Sequence, residues 1–382
     1  MKIQQLQYFD KAWKVYMHSD GFDRMQCQLV LAFGEPSLIT ELSVFNYLER
    51  SYPEAHILLC STSGEIMHND VFDNSVVVTA VEFSNTIVYC AETNINEHQN
   101  SYEAGLYLMR QLQQLQEDSL SAAFIVSDGT LINGSELVDG FNATNTNHIP
   151  VTGGLAGDGA RFIKTFVGLN RLPDKGTVVA VGFYGSKLKV SHGSFGGWEA
   201  FGPERVITKA DKNILYEIDG KPALDLYKEL LGPYKEQLPG SALLFPISLH
   251  DPAVENPVVR TILSIHDKEG AMVFAGNMPV GSKLQMMRAN FNKLIHGSSV
   301  AARYTFDQLS TRPQLAILIS CIGRKMVLKE RTEEEVHAVN EIFGTATCTT
   351  GFYANGEISP FYPNARCELH NQTMTITTFT EL

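Results

Sequence analysis

Short apolar runs alternate along this chain with segments whose apolar residues recur at helical spacing. Residues 28–33 predict a buried strand. Pro36 opens a helical run with Leu38, Leu42, Phe45 and Leu48 on one face, and Pro53 closes it. Residues 56–60 form the next strand and enter a small-residue turn, Ser61 to Glu65, which completes a β-α-β unit. Residues 76–83 and 86–92 predict a hairpin around Ser84-Asn85. Asn100 with Glu103 caps a helix carrying Ala104, Leu108, Leu112 and Leu115. Residues 122–126 read as a short buried strand ending in Ser127-Asp128-Gly129. A helix around Leu137 and Phe141 follows, and strands near residues 161–168 and 177–183 close the first half.

The second half repeats this order. Residues 258–265 and 272–275 predict a hairpin, and Ser282 with Gln285 predicts a cap for a helix bearing Leu284, Met287, Phe291 and Leu294. Residues 315–320 are the short buried strand, ending in Cys321-Ile322-Gly323. Thr332 with Glu335 reads as a capping box for Val336, Val339 and Ile342, and residues 373–380 form the last strand. Matched order implies a duplication. The expected fold is α/β: two similar halves, with mixed and antiparallel sheets flanked by helices in a layered αββα arrangement. The expected boundaries are 1–190, a linking segment 191–232, and 233–382.

One stretch breaks the pattern. Residues 150–159, PVTGGLAGDG, hold four glycines and an acid, a density expected where φ is positive or another group approaches the backbone closely. The reading is a sharp turn. No lysine directly follows its last glycine, so it is not a phosphate-cradling P-loop, and the dinucleotide spacing is also absent. A second glycine-bearing turn, residues 349–357, places Gly351 and Glu357 in the region matching Gly154 and Asp158.

Composition narrows the classes. With 382 residues and 44% hydrophobic content the chain can bury two ordinary cores. A net charge of −12 and no clustered Lys and Arg argue against nucleic acid as a partner. The amino terminus lacks the apolar core of a signal peptide, and no apolar stretch approaches the roughly 20 residues that span a bilayer. Six scattered cysteines without a CxxC pair read as reduced thiols, so the expected location is the cytoplasm.

The segment 191–232, SHGSFGGWEAFGPERVITKADKNILYEIDGKPALDLYKELLG, resembles the linking segment of FIST-domain proteins. CSTSGEI at 60–66, GGLAGDG at 153–159 and GFYANGEIS at 351–359 resemble the family's cysteine turn, glycine loop and carboxyl-terminal signature. Ala200 stands where that segment more often has proline. The resemblance implies a FIST N-type half, a FIST C-type half and a cytoplasmic sensory module that binds a small ligand and feeds signal transduction. Amino acids are one implied ligand class. A subgroup of similar size, the NosP proteins, implies haem b, nitric oxide sensing and a partner histidine kinase or a cyclic-di-GMP enzyme, either a diguanylate cyclase or a phosphodiesterase.

For haem, His192 is the candidate axial ligand, because Phe195, Trp198 and Phe201 nearby could form flat apolar walls. The plainer alternative is a loop histidine beside core aromatics. His250 and His266 are expected to be solvated. For an amino acid, Arg260 could take the carboxylate, with Glu357 or Asp158 taking the ammonium; their ordinary roles would be salt-bridge partner and turn formers. Cys321 could place a thiol at a pocket mouth, and Gly154, Gly157, Gly351 and Phe352 would line the glycine turns. No G-x-S-x-G nucleophile signature is present, so catalysis, hydrolysis included, is not expected. The signal would leave through a surface.

Overall fold

Three runs, Leu29–Gly34, Leu120–Ser127 and Leu315–Cys321, are apolar on both faces, so each must lie inside a sheet that is covered on two sides. The computed structural model describes residues 1–114, 119–238, 240–252, 256–309 and 311–382. Leu115, expected to extend the face of Leu108 and Leu112, lies outside the described residues.

The chain begins with β1 (Lys2–Phe9), β2 (Ala12–His18), β3 (Leu29–Gly34), the helical turn α1 (Pro36–Ile39) and α2 (Leu42–Ser51). It continues with β4 (His56–Ser61), the hairpin β5 (Glu65–Met67) and β6 (Asp70–Phe72), and β7 (Val76–Glu82). Next come β8 (Ile87–Asn94), α3 (Ser101–Gln113), β9 (Leu120–Ser127), α4 (Gly134–Thr144), β10 (Val151–Leu155), β11 (Val167–Leu169) and β12 (Thr177–Tyr184). After β13 (Leu188–Phe195) the chain builds a separate module. Its elements are β14 (Glu199–Asp211), β15 (Ile214–Ile218), β16 (Lys221–Pro222), α5 (Ala223–Leu231), β17 (Ile247–His250), β18 (Val258–Arg260), β19 (Ile262–His266), β20 (Ala271–Phe274) and β21 (Lys283–Arg288). The body then resumes with α6 (Phe291–Leu309), β22 (Leu315–Cys321), α7 (Ile322–Leu328), α8 (Thr332–Phe343), β23 (Cys348–Ala354), β24 (Gly356–Pro360), β25 (Cys367–His370) and β26 (Met374–Glu381).

The body is α/β, with mixed sheets flanked by helices. Three six-stranded sheets run β11-β4-β3-β7-β1-β2, β25-β24-β10-β9-β12-β8 and β13-β26-β22-β23-β5-β6. The expected repeat is present: β8-α3-β9-α4-β10-β12 recurs as β13-α6-β22-α8-β23-β26. The same order also occurs a third time, as β1-β3-α2-β4-β7. In each copy two strands around a helix pair in parallel and the last strand returns antiparallel beside the first of them.

Strand alternation explains the packing. Leu29, Leu31 and Phe33 share one central core with Phe124, Val126, Ile317 and Ile319, whereas Val30, Ala123, Ile125, Ala316 and Leu318 face outward under the helices. The copies also exchange strands in a ring. The first gives β5–β6 to the third sheet, the third gives β24–β25 to the second, and the second gives β11 to the first. Asn142 and Asn340 hold donated hairpins at corresponding places, bonding the carbonyls of Cys367 at 2.9 Å and His68 at 2.7 Å.

Several expected elements differ. Strands β7 and β8 form no hairpin, because they belong to different sheets. The Glu381 carboxylate accepts bonds from the Ser84 and Asn85 N–H groups and the Thr86 hydroxyl, and this holds the crossing. Residues 283–288 are strand rather than helix, since Leu284 and Met286 alternate into the module core; the helix starts at Phe291. Thr332 and Glu335 make no capping box, because the Glu335 side chain turns inward. Of the stretch expected near 161–168 only residues 167 and 168 are strand, at the start of β11.

The glycine stretch is also not a turn at its start. Gly153 and Gly154 lie inside β10, and Gly351 lies inside β23. At Gly153 (φ +147°) and Gly351 (φ +158°) a Cβ would sit 1.9 Å and 1.8 Å from the carbonyl oxygens of Ile125 and Leu318 on the parallel neighbours. Strand register therefore pairs Gly351 with Gly153, one residue before the expected Gly154. Gly153→Ala and Gly351→Ala should each cost about 3 kcal/mol through strain and overpacking. Urea unfolding measures this; unchanged midpoints would show that the parallel strands can move apart freely.

Candidate ligand-binding site

The turns that leave β4, β10 and β23 each carry a glycine followed by a buried acid: Gly64-Glu65, Gly157-Asp158 and Gly356-Glu357. Their carboxylates are engaged locally. Asp158 accepts three backbone N–H bonds at 2.8–2.9 Å from Phe162, Ile163 and Lys164, as an acid shaping a turn does. Gly157 lets this turn lie against Ser63, whose Oγ would stand 2.3 Å from a Cβ there. Glu357 accepts from the Thr373 N–H at 3.0 Å and hydroxyl at 2.8 Å, while its Oε1 has no partner. Burial pushes the Glu357 carboxyl up to about 8 and, with that carboxylate alongside, raises the Cys321 thiol well above its ordinary range. Cys321 is a buried thiol at the end of β22, not at a pocket mouth. Phe352 packs on Phe33 in the central core, and Gly154 meets Ile319 across two sheets.

Behind these turns stands a fully buried ion pair, Arg324 to Glu335 at 2.8 Å. The guanidinium also bonds the Leu294 carbonyl and Ser298, while Glu335 accepts from Ser320 and Tyr353. Every part of this pair is occupied by the fold, which makes it a structural device.

His192 lies on β13 with 3% of its surface exposed, and burial pushes it down to about 4. Its Nδ1 has no partner. The expected aromatic walls do not gather around it. Phe195 is 45% exposed, Trp198 packs with Leu294 and Val327, and Phe201 faces Phe245 in the module. The adjoining cleft, of 270 Å³, presents Lys189, Gln308, Pro360 and Asn364. These residues do not fit a haem, which needs flat apolar surfaces on both sides of its axial ligand. His250 and His266 are exposed, as expected.

Arg260 is different. It lies on β18, is only 5% exposed, and borders a cleft of 240 Å³ between the module and the body. The guanidinium donates to the carbonyls of Leu369 (2.9 Å), Val259 (3.3 Å) and Asn277 (3.4 Å). Among the described residues no carboxylate makes an ion pair with it, so the expected salt bridge is not formed. Burial pulls Arg260 down to about 10. Across the cleft stand Asp139 on α4 and Glu368 on β25; burial pushes Glu368 up to about 6 and raises Asp139 as well.

The joint itself is polar. Asn133 donates to Asn277 at 2.9 Å, the Asn277 N–H reaches Ser135 at 3.2 Å, and Lys212 pairs with Glu136 at 2.8 Å. The acids acting on Arg260 are thus Glu368, Asp139 and Asp251, whereas Asp158 and Glu357 serve their own turns. Nothing in linear order connects residues 139, 260 and 368; the exchanged hairpin and the module bring them together. A larger polar cleft, 360 Å³, lies beside α8 and β5–β6 and is lined by His68, His337 and Asn340. Among the described residues that line it none is a buried cation.

This fold and joint define an α/β domain with a polar cleft where module and body meet. The chain belongs to the FIST family: the FIST N domain matches residues 28–221 and the FIST C domain residues 223–360. Such domains are associated with sensory signal transduction. The chain is 24% identical over 309 residues to an uncharacterised protein of Methanocaldococcus jannaschii, covering 74% of this chain and 58% of that one. It is 23% identical over 220 residues to uncharacterised proteins of two Mycobacterium tuberculosis strains, covering 55% of this chain and 56% of each. The chain spans a little over half the length of the curated relatives it matches. Among the described residues no helix is long and apolar enough to cross a membrane.

The buried acids set a pH dependence. Glu65 and Glu357 are both pushed up to about 8 from an ordinary 4.5, so the folded chain holds their protons more tightly than the unfolded one. Their contribution is full below about 4.5 and is lost as pH rises through 8. Glu357→Gln should flatten the decline in urea-unfolding stability between pH 5 and 9; an unaltered slope would mean Glu357 ionises freely.

Proposed function

We propose that this chain is a sensory receptor for a free amino acid, bound in the cleft at the joint between module and body. The observation that carries the reading is Arg260, a buried cation that faces a cleft and hydrogen-bonds to neutral carbonyls, while Glu368, Asp139 and Asp251 act on it without an ion-pair contact. A buried guanidinium in no ion-pair contact gains charge-assisted bonds from a ligand carboxylate. Glu368, beside the Leu369 carbonyl that Arg260 already holds, takes the ligand ammonium. Because the cleft is walled by both bodies, ligand binding draws the module against the body and alters the outer surface. A partner reads that change; a histidine kinase or a cyclic-di-GMP enzyme suits the role.

Thermal shift and calorimetry against free L-amino acids test this. Binding raises the melting temperature of the folded chain. Arg260→Gln should weaken binding about 100-fold, equivalent to roughly 2–3 kcal/mol. Affinity should fall as pH drops below about 6, where Glu368 takes up a proton. No binding by any amino acid would sink the reading.

Haem with nitric oxide as the signal is the reading the site disfavours: the Nδ1 of buried His192 is unpartnered, but the residues around it do not fit the group. An absorption spectrum after expression with haem precursor decides it. A Soret band lost in His192→Ala supports haem, and a colourless protein removes it.

A further inference from the structure

We infer that the open edge of β13 takes an extended, carboxylate-bearing segment of a partner protein as a further strand of the third sheet. This surface is separate from the joint cleft and does not depend on what binds there. Hydrogen-bond parity defines the edge. Strand β13 pairs with β26 without a register shift and ends the sheet on its other side. The Gln308 side-chain amide donates to the His192 carbonyl at 2.8 Å and accepts from the His192 N–H at 3.5 Å, so the His192 main chain points away from β26. Backbone direction alternates along an antiparallel pair, so Leu188 and Val190 also turn their N–H and C=O groups outward. Gln308 fills one rung as a strand would. At the next rungs, Val190 and Leu188, no main-chain group among the described residues bonds that side.

The repeat shows what such an edge accepts. Strand β1 is the counterpart of β13, since each lies beside the returning antiparallel strand of its copy, β7 or β26. The outer edge of β1 is covered by β2, residues 12–18, in antiparallel pairing. The outer edge of β13 faces a cleft of 270 Å³ instead. A strand added there does for the third copy what β2 does for the first.

The lining selects the occupant. Lys189, His148 and His192 border the cleft together with the Asn364 amide and the apolar walls of Pro150 and Pro360, and no carboxylate lines it among the described residues. In a chain of net charge −12, that local sign favours an acidic segment. His192 is 3% exposed and its Nδ1 has no partner within the protein, which leaves a hydrogen-bonding atom beneath the edge. A second copy of this chain is the wrong occupant, because pairing β13 with itself brings Lys187 and Lys189 close to their own counterparts.

Selection of displayed random decapeptides on the full chain, followed by calorimetry with the selected peptides, tests this. The peptides should carry Asp or Glu and should bind Val190→Pro at least about tenfold more weakly. Proline is tolerated on an edge strand whose N–H faces outward, so this variant should fold, and a cooperative melting transition checks that it does. Lys189→Glu changes an exposed residue and should weaken binding about tenfold, as should replacing the peptide acid by its amide. Methylating the alternate peptide nitrogens that face β13 should abolish binding while keeping every side chain. Equal affinity of the methylated and unmethylated peptides, or of Val190→Pro and the unaltered chain, would overturn strand addition; if Val190→Pro does not fold, the methylated peptide decides. Selected peptides without acids, or undiminished binding to Lys189→Glu, would overturn the carboxylate. A selection that yields no binding peptide overturns the inference as a whole.

Discussion

Strands apolar on both faces cannot border water, and three such strands, β3, β9 and β22, set the terms for everything around them. One face of each meets the other two in a shared core around Phe33, Phe183, Phe352 and Phe379, and the other face needs helices. Each copy of the repeat therefore supplies its own outer cover. None supplies its own complete sheet, because the strand following the second parallel strand pairs in a neighbouring sheet. The ligand cleft is a by-product of this exchange: hairpin β24–β25, carried into the second sheet, delivers Glu368 and the Leu369 carbonyl beside α4. The module inserted after β13 then adds Arg260 from the other side.

Much of the local structure was legible in the chain. The buried strands follow from unbroken apolar runs, the Asn100 cap is made as its spacing predicts, and the four-glycine stretch does mark a close backbone approach. What misled was longer range. Val76–Glu82 and Ile87–Asn94 look like a hairpin because two strands flank a short polar turn, yet Glu381, at the far end of the chain, takes the N–H groups of that turn. Leu284 and Met287 fit helical spacing, but Leu284 and Met286 fit strand spacing equally well, and the module core decides. Glu335 sits where a capping box wants it, and a buried guanidinium eleven residues earlier outweighs a solvent-exposed cap.

The site was half legible. A lone arginine on an apolar strand can be noticed, and Arg260 was a candidate for carboxylate binding on that ground. Its partners could not be found, since Asp139 and Glu368 come from a helix and a hairpin far away in sequence. The glycine-turn acids drew attention instead, because glycine density marks tight geometry. Here that geometry belongs to the fold: Asp158 and Glu357 satisfy nearby main-chain groups, and Glu357 stands near the buried Arg324–Glu335 pair that ties α6, α7, α8 and β22 together.

The ring of exchanged strands also imposes an order on biosynthesis. Strand β5 follows β4 directly out of the ribosome, but its partner, residues 350–352 of β23, is made most of a chain length later. Until then, Glu65–Met67 has an open strand edge and an apolar Ile66 with no sheet to enter. The first sheet likewise waits for β11 to cover β4. The body should therefore assemble late and as a unit, so chains cut short in the third copy leave unpaired edges on the first and are candidates for chaperone retention.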